Sequence, residues 1–238
     1  MKLENSKGGY CMTIQPISLS DLLSLPHHMI DMQKGEYVFR EGEVASELYV
    51  VCAGKVQLTK TTDEGRELSL RICEQGDAFG EIVPFQLACT CTVSAKMVEA
   101  GTLAVIHKQQ VEERLLLDHA FALQFMQWLN LQLQRMQTKI RDLILHGKKG
   151  ALYSTLIRLA NSYGVQTEDG ILINVPMTNQ ELANFCGSAR EVVSRLLKEL
   201  KELQIISVHK GKITIHDLQF LKDEIRCEGC PIDICNMK

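Results

Sequence analysis

Cys227, Cys230 and Cys235 form a Cys-x-x-Cys-x-x-x-x-Cys run inside Arg226-Cys227-Glu228-Gly229-Cys230-Pro231-Ile232-Asp233-Ile234-Cys235. A single Cys-x-x-Cys would suit a redox dithiol as well as zinc. A third Cys five positions on, with Pro231 turning the chain between, points to metal ligation of the iron–sulfur kind, with a structural zinc knuckle as the alternative. Either centre usually takes four protein ligands, so the run is one donor short.

Composition narrows what such a centre could serve. A net charge of −3 over 238 residues gives no bulk positive charge, so any contact with DNA must be local. No apolar stretch reaches the ~20 residues that a membrane-spanning helix needs. The first ten residues are polar and lack a signal-peptide core, so a membrane is not expected as a partner. Nine cysteines without export signals suit a reducing cytoplasm, where Cys52, Cys73 and Cys186, flanked by apolar residues, are expected to be buried core thiols. The seven histidines are scattered with no nucleophile beside them, so the chain is not expected to be an enzyme.

The elements that must position the thiols follow from periodicity. Short apolar or alternating runs at Tyr37-Val38-Phe39, Glu47-Leu48-Tyr49-Val50-Val51, Lys55-Val56-Gln57-Leu58, Glu67-Leu68-Ser69-Leu70-Arg71-Ile72 and Thr102-Leu103-Ala104-Val105-Ile106 are punctuated by Gly35, Gly42, Gly54, Gly65, Gly76 and Gly80. This spacing predicts an antiparallel β-barrel or sandwich rather than βαβ units. Residues 119–146 contain neither Gly nor Pro, which predicts a helix about 40 Å long. Met126, Leu129, Leu133, Met136, Ile140 and Leu143 step by 3, 4, 3, 4 and 3 along it, the seam of a two-stranded coiled coil and so of an expected homodimer, with packing of the stripe on the chain's own β-domain as the alternative. Gly147-Lys148-Lys149-Gly150 ends that helix as a hinge, and a mostly helical second domain follows.

In that domain Thr178-Asn179-Gln180-Glu181 reads as a capping box opening a short helix. Gly187 supplies a turn, and a second helix runs over residues 188–203. Leu182, Ala183, Phe185 and Cys186 face Val192, Val193, Leu196 and Leu197, the helix-turn-helix pattern. Ser188, Arg190, Glu191, Ser194 and Arg195 then lie on the polar face of the helix that enters the major groove. Arginine can donate to guanine O6 and N7, and glutamate can accept from cytosine N4. The alternative is a solvated face carrying a Glu191–Arg195 ion pair. Residues 208–215 read as a β-hairpin wing with lysines for phosphates.

Phe39-Arg40-Glu41-Gly42-Glu43, Leu48-Tyr49 and Gly54, together with Thr178-Asn179-Gln180-Glu181 and the run from Ala189 to Lys198, resemble the CRP/FNR family of bacterial transcription regulators over essentially the whole chain. The resemblance implies an α+β fold: an N-terminal cyclic-nucleotide-binding-like antiparallel β-barrel (jelly roll), a long coiled-coil dimerisation helix and a C-terminal winged helix-turn-helix. The expected division is a flexible leader at 1–18, the sensory β-barrel at 19–114, the dimerisation helix at 115–147, the winged domain at 148–222 and a cysteine-rich tail at 223–238. It further implies that Arg190, Glu191 and Arg195 contact bases of a palindromic TGTGA-N6-TCACA-like double-stranded site, and that RNA polymerase is a partner, met through the loop at residues 164–170, for which an exposed connector is the alternative reading. Gly80-Glu81 matches the ribose turn of cyclic-nucleotide binders. The following Leu87-Ala88-Cys89-Thr90-Cys91-Thr92 has no arginine for the phosphate, so no cyclic nucleotide is expected.

Residues 139–156 and the cysteine tail are similar to the oxygen-responsive branch of this family in bacilli. That branch holds a 4Fe-4S cluster, one per subunit, on three Cys and an Asp at the end of the dimerisation helix. The resemblance makes Cys227, Cys230, Cys235 and Asp142 the expected ligands, with His146 and then Cys11 as alternatives to Asp142. By itself Asp142 reads as a surface carboxylate paired with Lys139 or His146. The expected function is oxygen-responsive regulation of anaerobic metabolism.

Overall fold

The computed structural model describes residues 17–87 and 89–237. Cys11 and most of the expected leader lie outside them. After a short helix α1 (Leu19–Leu23) come eight strands: β1 (His28–Met32), β2 (Tyr37–Phe39), β3 (Glu47–Val51), β4 (Lys55–Thr61), β5 (Glu67–Cys73), β6 (Ala78–Phe79), β7 (Ser94–Glu99) and β8 (Gly101–His107). They pair antiparallel in two sheets, ordered β1-β8-β3-β6 and β2-β7-β4-β5. Phe39, Tyr49, Phe79, Met97 and Leu103 fill the space between them.

The expected jelly roll forms as a sandwich of two sheets rather than a closed barrel, since each sheet ends in edge strands that do not pair with the other. The β3 and β8 runs are apolar on both faces for a reason. Leu48, Val50, Ala104 and Ile106 point outward and are covered by Val111 of α2 (Lys108–Leu117) and by Phe121 and Phe125 of the long helix α3 (His119–Tyr163).

Asp118 caps α3, its side chain accepting from the amides of Ala120 and Phe121. As periodicity suggested, the helical geometry breaks at the Gly147-Lys148-Lys149-Gly150 stretch: at Gly147 φ 59° and ψ −156° are non-helical and suit only glycine, and a second helical run continues to Tyr163. Before the kink Met126, Leu129, Leu133, Met136, Ile140 and Leu143 stay 42–56% exposed, an apolar stripe left open by the single chain. Beyond the kink the helix is buried by the C-terminal domain. That domain contains β9 (Gly164–Thr167), β10 (Gly170–Ile173), α4 (Asn179–Phe185), α5 (Arg190–Glu202), β11 (Ile206–His209), β12 (Lys212–Ile215) and α6 (Leu218–Glu224). Its sheet runs β11-β12-β10-β9. The segment read as a polymerase-contacting loop is therefore a hairpin, with Thr167 paired to Gly170.

Candidate metal centre and nucleic-acid interface

The cysteine tail folds back onto α3 at its kink. Arg135 donates from Nε to the Asp233 carbonyl at 2.7 Å, Arg158 from Nη1 to that of Ile234 at 3.1 Å, and Asn161 to that of Cys235 at 2.7 Å. The Met237 amide donates to Ser162 Oγ at 2.9 Å, and the Met237 carbonyl accepts from the Ile72 amide on β5 at 3.1 Å. The tail thus covers the outer edge of β5 and touches both halves of α3, joining the sandwich to the C-terminal domain.

Asp142 is not a surface carboxylate. It is 4% exposed, and neither Lys139 nor His146 is its partner. Its Oδ1 accepts from Arg141 Nη2 at 2.7 Å and Nε at 3.0 Å; its Oδ2 accepts from Ser154 Oγ at 2.5 Å and Arg158 Nη2 at 3.1 Å. Burial opposes the charged form, but the donors from Ser154, Arg141 and Arg158 outweigh it and hold the carboxyl below its usual range. Lys139 instead donates to the Leu70 carbonyl at 2.6 Å. Burial, followed by the nearby Arg158, Arg71 and Arg135, pushes its ammonium down to about 7. His146 lies beside Gly150, Tyr153 and Glu224.

Arg141 connects the carboxylate to the tail: its Nη1 contacts Glu228 and lies 4.0 Å from Cys230 Sγ. Burial pushes the Cys235 thiol up; Arg158 opposes this, while Cys227, Cys230 and Asp142 add to it. The three thiols and the carboxylate therefore share one electrostatic neighbourhood. They are the right donors for an iron–sulfur or zinc centre, but they are not in ligating positions. Among the described residues no group of three or more His, Cys, Asp or Glu is gathered to hold a metal, and both Asp142 oxygens are already used. Of the thiols expected in the cores, Cys73 and Cys186 are buried and Cys52 is half-buried.

Sequence reasoning missed Arg158, which is 3% exposed. It bonds Thr138 and Asp142 before the kink, Ser154 after it, and the tail at Ile234. Its local signal is a lone cation in an apolar helical run, which suggests a residue whose head reaches water.

The second site is α4 and α5. Thr178 Oγ1 accepts from the Glu181 amide at 3.2 Å and Glu181 accepts from the Thr178 amide at 2.7 Å, so the capping box forms. Leu182, Ala183, Cys186, Val193, Leu196 and Leu197 share one core. Arg190, Glu191, Ser194 and Arg195 are exposed on α5, and Arg195 reaches Glu199 rather than Glu191. Ser188 precedes the helix instead of lying on its polar face, and its hydroxyl is buried without a partner.

The reading end of α5 faces the protein's own β4–β5 hairpin. Asn184 donates to Glu67 at 3.0 Å, and Thr62, Arg66 and Leu68 line one cleft with Ser188, Arg190 and Glu191. In a helix-turn-helix the start of the second helix is the part that enters the major groove, and here that start shares a cleft with the hairpin. Glu67→Ala removes a bond worth about 1 kcal/mol. The metal-free protein should then bind operator DNA about fivefold more tightly in fluorescence anisotropy.

A jelly-roll domain, a kinked helix with an open apolar stripe and a winged helix-turn-helix define a class: DNA-binding regulators whose reading heads are placed by an N-terminal domain. Residues 29–117 match the cyclic nucleotide-binding domain, and residues 150–224 the Crp-like helix-turn-helix domain. The anaerobic regulatory protein of Bacillus subtilis is 49% identical over 87% of this chain and 87% of its own. The global nitrogen regulator of Nostoc sp. is 26% identical over 77% and 83% of the two chains. A CooA variant from Carboxydothermus hydrogenoformans has the same fold at TM-score 0.74 and 21% identity, covering 90% of this chain and 98% of its own. FixK2 from Bradyrhizobium japonicum does so at TM-score 0.71 and 19% identity, covering 84% and 97%.

The chain belongs to the CRP/FNR family of DNA-binding transcription regulators, which bind DNA as dimers and are not enzymes. No helix among the described residues is long and apolar enough to cross a membrane.

Proposed function

We propose that this regulator responds to oxygen through a 4Fe-4S cluster held by Cys227, Cys230, Cys235 and Asp142, and controls genes of anaerobic metabolism. The observation that carries the reading is the tail's position: the three thiols fold back to the α3 kink, where Arg141 contacts both Asp142 and the Glu228–Cys230 segment. The similarity to an anaerobic regulatory protein supports it. When bound, the cluster supplies an oxygen-labile centre. The chain's own residues do the rest: the tail ties β5 to α3, Gly147 allows the C-terminal domain to turn, and Arg190, Glu191 and Arg195 read a palindromic site of the TGTGA kind. RNA polymerase is the partner at activated promoters, and the cytoplasm is the working compartment.

The turn after Gly80 supports a reading without cyclic nucleotide. Glu81 accepts from the Thr92 amide at 2.6 Å, the Thr92 hydroxyl at 2.5 Å and the Val93 amide at 3.0 Å, so a side-chain carboxylate already occupies these donors. Lys60 also reaches this turn, but it is engaged by Glu41 and the Thr92 carbonyl.

Protein reconstituted anaerobically with iron(III), dithiothreitol and sulfide should be brown, hold four iron and four sulfide per chain, and bleach in air. Cys→Ser at 227, 230 or 235 should abolish the colour. Colourless protein that carries zinc and binds DNA equally in air would overturn the reading in favour of a structural zinc tail.

A further inference from the structure

β5, the two runs of α3 and the turn before α5 enclose a cavity of about 280 Å³. Leu68 and Leu70 of β5, Ile140 and Ala151 of α3, Phe185 and Met237 give it apolar walls. Its size is near the lower end for small-molecule sites, which combine such walls with a few placed polar groups. Three charged residues also line it: Lys139, Asp142 and Arg158. Asp142 and Arg158 are bonded to each other, and Arg141 and Ser154 fill the other positions on the carboxylate. Lys139 differs. Its ammonium donates to the neutral Leu70 carbonyl at 2.6 Å, and among the described residues no carboxylate pairs with it. The neighbours that bear on its charge are the cations Arg158, Arg71 and Arg135, with the Cys73 thiol opposing them. A buried cation in this setting is costly until an anion joins it.

We propose that the cavity binds a small acid, one anionic head on an apolar body, with Lys139 as the partner of the head and the apolar walls as the seat of the body. Such a ligand touches the parts whose relation decides how open α5 is. Leu68 stands at the base of the β4–β5 hairpin, and a Cβ on Gly187, in the turn before α5, would lie 3.5 Å from its Cδ1. An acid held between these parts favours their present arrangement over one in which hairpin and reading helix separate. By linkage it lowers operator affinity, and DNA lowers its own. The rival occupants are side chains of a second copy's α3, packed along the stripe that forms the outer wall.

Isothermal titration of the full-length protein with octanoate, 1-octanol and octylamine compares three heads on one body. Octanoate should bind at least tenfold more tightly than the alcohol, the value of a hydrogen bond between charged groups, and octylamine more weakly than either. Lys139→Met keeps most of the side chain and removes the charge. It should bind 1-octanol as before and octanoate no better than the alcohol; if the variant does not fold, the comparison of heads in the unsubstituted protein still decides. Saturating octanoate should weaken operator binding at least fivefold in fluorescence anisotropy. Equal affinity for acid and alcohol, or a preference for the acid that survives in Lys139→Met, would overturn the site. The absence of octanoate binding would also overturn it and leave the cavity to the second copy. Acid binding with unchanged operator affinity would overturn the coupling to α5. Lys139 is not among the residues assigned to the cluster, so these results and the uptake of iron and sulfide are read separately.

Discussion

Replacing Asp142 by alanine is expected to lower the unfolding free energy of the metal-free protein by about 3–5 kcal/mol, the range for removing one partner of a buried ion pair. Arg158 would remain 3% exposed with no anion, and Arg141 would lose the acceptor for two of its donors. Urea unfolding at neutral pH measures the difference. Arg158→Met should cost a similar amount, and the double variant less than the sum, since it leaves no buried charge alone. The sign of the pH dependence follows from the depressed carboxyl. Its contribution is complete above the unfolded value near 4 and is lost as pH falls through the lower folded value. The gap between the two proteins should therefore hold down to about pH 4 and close below it. A neutral-pH difference under about 1 kcal/mol would show that water replaces the ion pair.

Leu133→Asp combined with Ile140→Asp is expected to separate the dimer. Both residues lie on the open stripe of α3, at 55% and 52% exposure in the single chain, and a second copy of the same helix is the surface that matches their 3-and-4 spacing. In a paired helix the substitutions would bury four unpaired carboxylates, each costing several kcal/mol. Sedimentation at micromolar concentration should then show monomers. Operator affinity should fall by about 10²–10⁴, because two half-sites about 34 Å apart would be filled independently rather than by one linked pair of heads. A variant that still sediments as a dimer would move the dimer contact off this stripe.

Much of the fold is legible in local pattern. Tyr37–Phe39 and Glu47–Val51 are strands with the bounds their apolar runs suggest, and the Thr178 box starts α4 as its spacing requires. In the N-terminal sandwich three strands escape the pattern for separate reasons. Ser94–Glu99 does alternate, but its inward residues are Ala95 and Met97, and alanine carries little hydrophobic signal. His28–Met32 is an edge strand with no fully buried residue, and Ala78–Phe79 is only two residues long. The thiol run and the coiled-coil stripe can both be read directly, since each is defined by spacing along one segment.

Asp142 shows what spacing cannot reach. Its buried partners, Ser154 and Arg158, lie 12 and 16 residues along the same helix, and a straight helix would carry them roughly 18 and 24 Å away. Only the break at Gly147 brings them together, and burial of both Asp142 and Arg158 shields the ion pair from water. The sequence by itself determined the class of the protein, the donors it carries and the apolar stripe along α3, because local periodicity and side-chain chemistry specify these. The tertiary structure decided that the carboxylate is already held by two arginines and a serine, and that the reading helix faces its own β4–β5 hairpin. Both depend on how the two halves of α3 meet at one glycine.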